Sequence, residues 1–299
     1  MNILTFDVED WYNCDLITRD LNWDRYEVRI YDGIERILNE LSNRNIKATF
    51  FCLGWIAEKH PDVVRWIHAR GHHIGCHSYQ HELSYKFDRN GFKQDTDKAK
   101  KLIEDLTGAP ITAFRAPAFS INENNLWALE VLAELGFEYD CSILPATHDY
   151  GGFPNFGLAK PTIINLANGA VLKEFPINIS SFWGKSIVFT GGGFFRLFPY
   201  WQIKSWALKS PYMMTYFHTR DFDPDQPRIK SLPPMRKFKS YVGLSGSYSK
   251  FQKLLDHFNF ISVKEADESI DWETVRAIKI QHIQIENELT YNWSSRLCR

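Results

Sequence analysis

Cysteine is scarce: five residues in 299, at positions 14, 52, 76, 141 and 298, with no Cys-x-x-Cys pair and no dense spacing. An odd, scattered set argues against a disulfide framework. No apolar run approaches bilayer-spanning length. The first residues, MNILTFDVEDWYNC, have no basic leader and reach an acid at position 7, which is not the pattern of a secretion signal. The expectation is a cytoplasmic protein. Excess charge is missing too. Basic residues number 35 and acidic ones 36, so bulk charge offers nothing to hold a nucleic acid. Internal repeats and low-complexity tracts are absent. The triple glycine, Gly191 to Gly193, lacks the Gly-Lys-Ser/Thr ending of a phosphate loop.

What is present is an ordinary globular composition, 44% hydrophobic and 24% charged, long enough for one large α/β domain. The 15% aromatic share suits a large core or the faces of sugar rings. Short apolar runs alternate with helical patterns. NILTFDV, KATFFCLG, HHIGCH, ITAFRAP, FEYDCSI and YMMTYFH read as strands. Between them, YDGIERILNELSNRN, PDVVRWIHARG, KQDTDKAKKLIEDLTG and ENNLWALEVLAELG read as helices, three of them closed by glycine. That alternation implies a parallel sheet built of βα units. Residues 144–198, rich in Gly and Pro, read as an irregular insertion with a few added strands. Beyond them, PYWQIKSWALK and SYSKFQKLLDHFNF read as helices and FISVKEADE as a last strand. Residues 1–272 make the barrel, and 273–299 a C-terminal helix and tail.

Four of the ten histidines fall within GHHIGCHSYQHE, residues 71–82. His77 and His81 are four apart, so on a helix both would face one cation. Cys76, pointing the other way in a strand, is a packed thiol, and His72 and His73 are structural. TFDVED puts Asp7, Glu9 and Asp10 at the end of the first strand, where residues two apart share a side, so Asp7 and Glu9 can converge. In a parallel barrel the carboxyl ends of strands carry the active site. Asp7, His77, Arg115 and His218 all stand at such ends.

With TFDVED, HHIGCHSYQHE, AFRAPAFS and MTYFHTRDFDPDQPR in order, the chain resembles the NodB-type polysaccharide deacetylases, carbohydrate esterase family 4. YDCSILPATHDYGG, TGGGFFRLFPY and FDPDQPR look like the subgroup of exopolysaccharide-biosynthesis loci. The resemblance implies a distorted (β/α) barrel, seven parallel strands, and a metal-dependent hydrolase that removes N-acetyl or a similar acyl group from an amino sugar. Its substrate would be an N-acetylated glycan or a lipid- or nucleotide-linked precursor. His77 and His81 match the family's metal-ligating histidines. Val8 stands where the family has its third ligand, an Asp, so Glu9, or alternatively Asp10, takes that role. The cofactor implied is a divalent metal, zinc before cobalt or nickel. Asp7 matches the general base, Arg115 its orienting partner, and His218 the general acid. Pro117 completes the Arg-x-Pro motif, and the backbone N–H of Ala118 would help hold an oxyanion. His148 and Asp149 are expected to line the substrate groove. The aromatic-basic stretch after Gly193 could touch a membrane peripherally. Two other readings stay open: a non-catalytic carbohydrate-binding relative, and a hydrolase of small amides or cyclic imides on the same scaffold.

Overall fold

The structure, a computed structural model, describes residues 1–13, 22–157 and 159–280. Its strands are β1 (Asn2–Ile3), β2 (Thr5–Val8), β3 (Thr49–Cys52), β4 (His73–Cys76), β5 (Ala113–Phe114), β6 (Tyr139–Asp140), β7 (Thr162–Asn165), β8 (Val171–Glu174), β9 (Ser180–Phe182), β10 (Lys185–Ile187), β11 (Met213–Met214), β12 (Phe217–His218) and β13 (Ala277–Lys279). The helices are α1 (Ile30–Asn43), α2 (Gly54–Lys59), α3 (Pro61–Ala69), α4 (Arg89–Thr107), α5 (Trp127–Glu134), α6 (Gly192–Leu197), α7 (Tyr200–Lys209), α8 (Pro234–Tyr241), α9 (Leu244–His257) and α10 (Val263–Ser269). Among the described residues no helix is long and apolar enough to cross a membrane.

The main sheet runs β12-β2-β3-β4-β5-β6-β8-β7-β13, and β1 pairs with β11. β1 and β2 are one line of chain broken at Leu4, and β11 and β12 are likewise continuous. Counted so, every pairing from β11/β12 through β1/β2, β3, β4, β5 and β6 to β8 is parallel, which gives the seven expected strands. β7 adds on antiparallel beyond β8. The ring is not closed by a strand ladder between β8 and β11. Cross-links do it instead: Met214 N donates to Asn178 Oδ1 at 2.9 Å, Tyr212 Oη to Pro176 O at 2.8 Å, and Tyr216 N to Thr190 O at 3.2 Å.

Strand alternation sorts two cores. Leu4, Phe6, Val8, Phe50, Phe114 and Met213 pack outward against the helices, while Ile3, Phe51, Ala113, Cys141, Phe175 and Met214 fill the interior. Gly75 admits the Phe51 ring, since a Cβ there would sit 2.5 Å from Phe51 Cδ1.

Two expectations are corrected. FISVKEADE is a helix, not a strand, over Val263–Ser269. Ser262 and Glu265 form a reciprocal capping box that starts it, and only Ile261 makes an isolated bridge, to Ile3. The helix expected after residue 272 is instead a strand at Ala277–Lys279, whose backbone pairs with β7. The rest of that expected tail, 281–299, lies outside the described residues.

Candidate metal centre and active site

Because Phe6 and Val8 point outward, Asp7 and Glu9 point in and meet the same partners. His218 Nε2 is 3.9 Å from Asp7 Oδ2 and 4.0 Å from Glu9 Oε1, its strand being in register with Asp7. His77 and His81 reach this point from a loop after β4 rather than from a helix. Ser78 and His81 there take left-handed φ values of 62° and 56°. The loop is shaped by its neighbours. The Gly54 and Trp55 amides at the start of α2, which have no partner within that helix, donate to Ser78 O and Tyr79 O at 2.8 and 3.0 Å. Asp95 on α4 accepts from Tyr79 N at 2.8 Å.

His81 Nε2 then lies 2.7 Å from Glu9 Oε2, and ligand atoms of Glu9, His77 and His81 all fall within 4.8 Å of one another. All three side chains are buried. His77 Nδ1 is 2.8 Å from Arg115 O, so its Nε2 is the nitrogen left for a cation, as in metal sites whose histidines bond a carbonyl behind them. Burial opposes the charge on Glu9, but His81, His218 and His77 outweigh it and hold the carboxyl down at about 2. Burial pushes His77 down to about 4. At neutral pH Glu9 is ionised and His77 neutral, the states that cation ligation requires. Two imidazoles and a carboxylate suit a borderline divalent ion, so the residues fit a metal. Asp10, the alternative third ligand, is not brought in. Its Oδ1 accepts from Trp11 N at 2.7 Å, and its Oδ2 from Arg29 N and Ile30 N at 2.8 and 2.9 Å, at the start of α1.

Arg115 is fully buried. Nη1 donates to Asp7 Oδ1 at 2.8 Å, Nε to Cys141 O at 3.3 Å, and the guanidinium lies 4.2 Å from the Phe51 ring centre. Ala116 N donates to Ser142 Oγ at 2.8 Å, and Ser142 donates in turn to Asp140. Asp140 faces Glu174 in register across β6 and β8, both fully buried. Their remaining oxygens, Asp140 Oδ2 and Glu174 Oε2, have no hydrogen-bond donor, and burial raises both carboxyls, Asp140 to about 6 and Glu174 well above its usual value. After Pro117 the chain reverses, with Ala118 and Phe119 at φ 52° and 53°. Gly152 N donates to Phe119 O at 2.9 Å beneath the turn that carries His148 and Asp149. Those two side chains are exposed and make contacts away from the cluster: Asp149 with Lys239 Nζ at 2.7 Å, and His148 Nδ1 with Tyr150 N at 3.4 Å.

Three residues escaped the sequence reading. Asp221 Oδ2 accepts from His218 N at 3.0 Å and lies 3.1 Å from His218 Nδ1, while Arg196 Nε is 3.3 Å from its Oδ1. Burial opposes the charge on both Asp221 and His218. Arg196 and His218 nevertheless hold the Asp221 carboxyl low, and Asp221, Glu9 and Asp7 raise His218. Tyr216 lies edge-on between Phe119 and His218, at ring distances of 5.3 and 5.9 Å. It also accounts for the first two glycines of the run, because a Cβ would meet Tyr216 O at 2.3 Å from Gly191 and the Tyr216 ring at 3.2 Å from Gly192.

Fold and site together define a (β/α) barrel with three buried donors, Glu9, His77 and His81, that could hold a cation at the carboxyl ends of its strands. The family follows from comparison. Residues 14–139 match the polysaccharide deacetylase family model, and residues 141–268 match a domain of unknown function (DUF3473). Over residues 14–139, then, the chain is similar to the NodB-type polysaccharide deacetylases of carbohydrate esterase family 4. A peptidoglycan-N-acetylglucosamine deacetylase of Bacillus cereus is 38% identical over 96 residues, 32% of this chain and 35% of that protein. A peptidoglycan deacetylase of Helicobacter pylori is 34% identical over 116 residues, 38% and 37% of the two chains. The chain thus spans little more than a third of the length of these relatives. A crystal structure from Mycobacterium smegmatis, described as a polysaccharide deacetylase, superposes with a TM-score of 0.62 at 17% identity over 92% of this chain and 91% of that one. A family-4 pseudoenzyme from Bacillus anthracis gives 0.50 at 13% identity over 89% and 64%. These two likenesses concern the fold.

Proposed function

We propose that this chain is a metal-dependent hydrolase that removes N-acetyl, or a similar acyl group, from an amino sugar in a bacterial polysaccharide or its precursor. The observation that carries the reading is the meeting of Glu9, His77 and His81 with Asp7, Arg115 and His218 at one end of the barrel. The peptidoglycan deacetylases among its relatives support an N-acetylated glycan as substrate. The exopolysaccharide-type segments around residues 140–152 and 190–228 favour a secreted glycan or its lipid- or nucleotide-linked unit.

A divalent ion held by Glu9, His77 and His81, zinc by preference, would supply Lewis acidity to the acyl carbonyl and lower the pKa of water toward ~7. Asp7 takes the proton of the attacking water at Oδ2, while Arg115 fixes Oδ1. The Ala118 N–H, in the reversal after Pro117, supports the oxyanion. His218 gives its Nε2 proton to the departing amine, its Nδ1 side held by Asp221. A C–O bond forms, the amide C–N bond breaks, and carboxylate and free amine leave. His148 and Asp149, on the exposed turn, line the groove for flanking sugars.

Elemental analysis of protein purified without added metal, paired with acetate release from N-acetylglucosamine oligomers, tests this. Wild type is expected to hold about one metal equivalent, and His77→Ala/His81→Ala none. Asp7→Asn is expected to keep the metal and lose activity by ~10²–10⁴-fold, the usual worth of a general base. Metal-loaded wild type that binds the oligomers without releasing acetate would make the chain a binding relative. Release from small amides alone would assign it to that chemistry.

A further inference from the structure

A hairpin, two helices and a skewed charge distribution make a second functional surface. β9 and β10 pair antiparallel with Phe182 opposite Lys185, leaving Trp183 and Gly184 as a two-residue turn. Both have positive φ, 50° and 75°. Such a turn favours Asn-Gly or Asp-Gly, and a bulky side chain in its first position is an outlier that points to use. Here the side chain is tryptophan, 92% exposed. It stacks on Phe182 at 5.6 Å; Phe182 meets Phe198 at 5.4 Å, and Phe198 stacks on Phe194 at 6.2 Å. α7 continues the apolar surface. Its Ile203, Trp206 and Ala207 are buried, while Trp201 and Leu208, seven apart and so on one outward face, stand 70% and 68% exposed. Beside α6, α8 shows Met235 and Phe238 to solvent, its last carbonyls at Lys239 and Ser240 bonded to Arg196.

The charge of the same region is one-sided. Residues 180–240 contain ten basic residues, of which Arg196 and Arg220 are buried, and three acidic ones, in a chain whose net charge is −1. Of those acids, Asp221 and Asp223 are buried against Arg196 and Arg29, which leaves Asp225 as the segment's exposed carboxylate. Lys209 on α7 and Lys237 on α8 are exposed and Lys204 on α7 is half-buried, while Lys239 pairs with Asp149. Tryptophan and phenylalanine ringed by lysine is the composition of a bilayer interface, where the rings enter the headgroup region and the ammonium groups meet anionic lipid. A core-like protein interface would instead be depleted of lysine.

We propose that the Trp183 hairpin, α6, α7 and α8 form a peripheral docking face for an anionic phospholipid membrane. α6 begins at Gly192, against Tyr216 and hence next to His218, so a docked barrel would present the mouth of its site to the membrane surface. Binding itself does not depend on the reaction assigned above.

The test is co-sedimentation of the full chain with vesicles of phosphatidylcholine alone or with 30% phosphatidylglycerol, in 0.1 and 0.5 M NaCl. Binding is expected to be at least tenfold tighter to the anionic vesicles and to weaken in high salt. Trp183→Ala/Trp201→Ala and, separately, Lys204→Glu/Lys209→Glu/Lys237→Glu are each expected to lose at least tenfold, with circular dichroism and metal content unchanged. Equal binding to both vesicles, or none, overturns the proposal. So does binding to a soluble acidic polysaccharide that the tryptophan variant retains, which would make the face a glycan site. Self-association in ultracentrifugation that the tryptophan variant abolishes, without vesicle binding, would assign the face to a second copy of the chain.

Discussion

Asp140→Asn probes the charge balance behind Arg115. Burial raises Asp140 from an ordinary 3.8 to about 6, and Glu174, facing it, lies well above its usual value from burial and from Asp140. A folded pKa above the unfolded one means that the protonated form stabilises the fold. That contribution is complete below about pH 4 and is lost as pH rises through 6. The shift at Asp140 is on the order of a few kcal/mol, of which about 1 kcal/mol disappears between pH 5 and pH 8. Asparagine does not titrate. It can keep the acceptor toward Ser142 and donate to Glu174 Oε2, the oxygen with no other donor. Urea unfolding of wild type and variant at pH 5 and pH 8 reads the difference directly. The variant is expected to lose at least about 1 kcal/mol less stability over that interval. Equal losses in the two proteins would refute the raised Asp140 carboxyl.

Glu9→Ala is expected to empty the metal site by elemental analysis. Asp10→Ala should keep the metal and cost about 1–2 kcal/mol in denaturant unfolding, because the first amides of α1 lose their acceptor. Arg115→Ala leaves Asp7 buried without its 2.8 Å partner, so a loss of about 3–5 kcal/mol is expected from thermal unfolding, and one below about 1 kcal/mol would contradict the burial of that pair. Burial lowers His72 to about 4, so its neutral form belongs to the fold. Its contribution is present above about pH 6.5 and is lost as pH falls toward 4. His72→Gln should therefore lose roughly 2 kcal/mol less stability than wild type between pH 7 and pH 5.

Much of this arrangement can be read from the chain, and the reasons differ by residue. Asp7 and Glu9 meet because the period of a strand is two, a rule that survives any error in where the strand ends. His77 and His81 converge for another reason than the helical one. Their loop is bent by amides from α2 and a carboxylate from α4, contacts that spacing along the chain does not encode. Asp10 differs from Glu9 only in which side of the chain it faces, and the start of α1 captures it. Asp221 was legible in principle, since HTRD offers a carboxylate three residues past a histidine. Tyr216 was too, two residues before His218 on one strand. Arg196 was not, because it reaches Asp221 from a separate helix. α10 was missed although Ser262 and Glu265 spell its capping box, the apolar start FISV having outweighed that signal.

The barrel's unzipped joint, between β8 and β11, has a consequence for how such a scaffold can diversify. A ring laddered all the way round fixes its girth, because widening it means sliding every strand by whole residues and turning each inward side chain out. Here Asn178, Tyr212 and Thr190 tether the two edges, so the circumference can change at one place while six parallel pairings stay in register. The Trp183 hairpin and the glycine run both issue from that joint. Changes there can resize the mouth beside His218 without displacing Asp7 in β2, or Glu9, His77 and His81 just beyond the ends of β2 and β4.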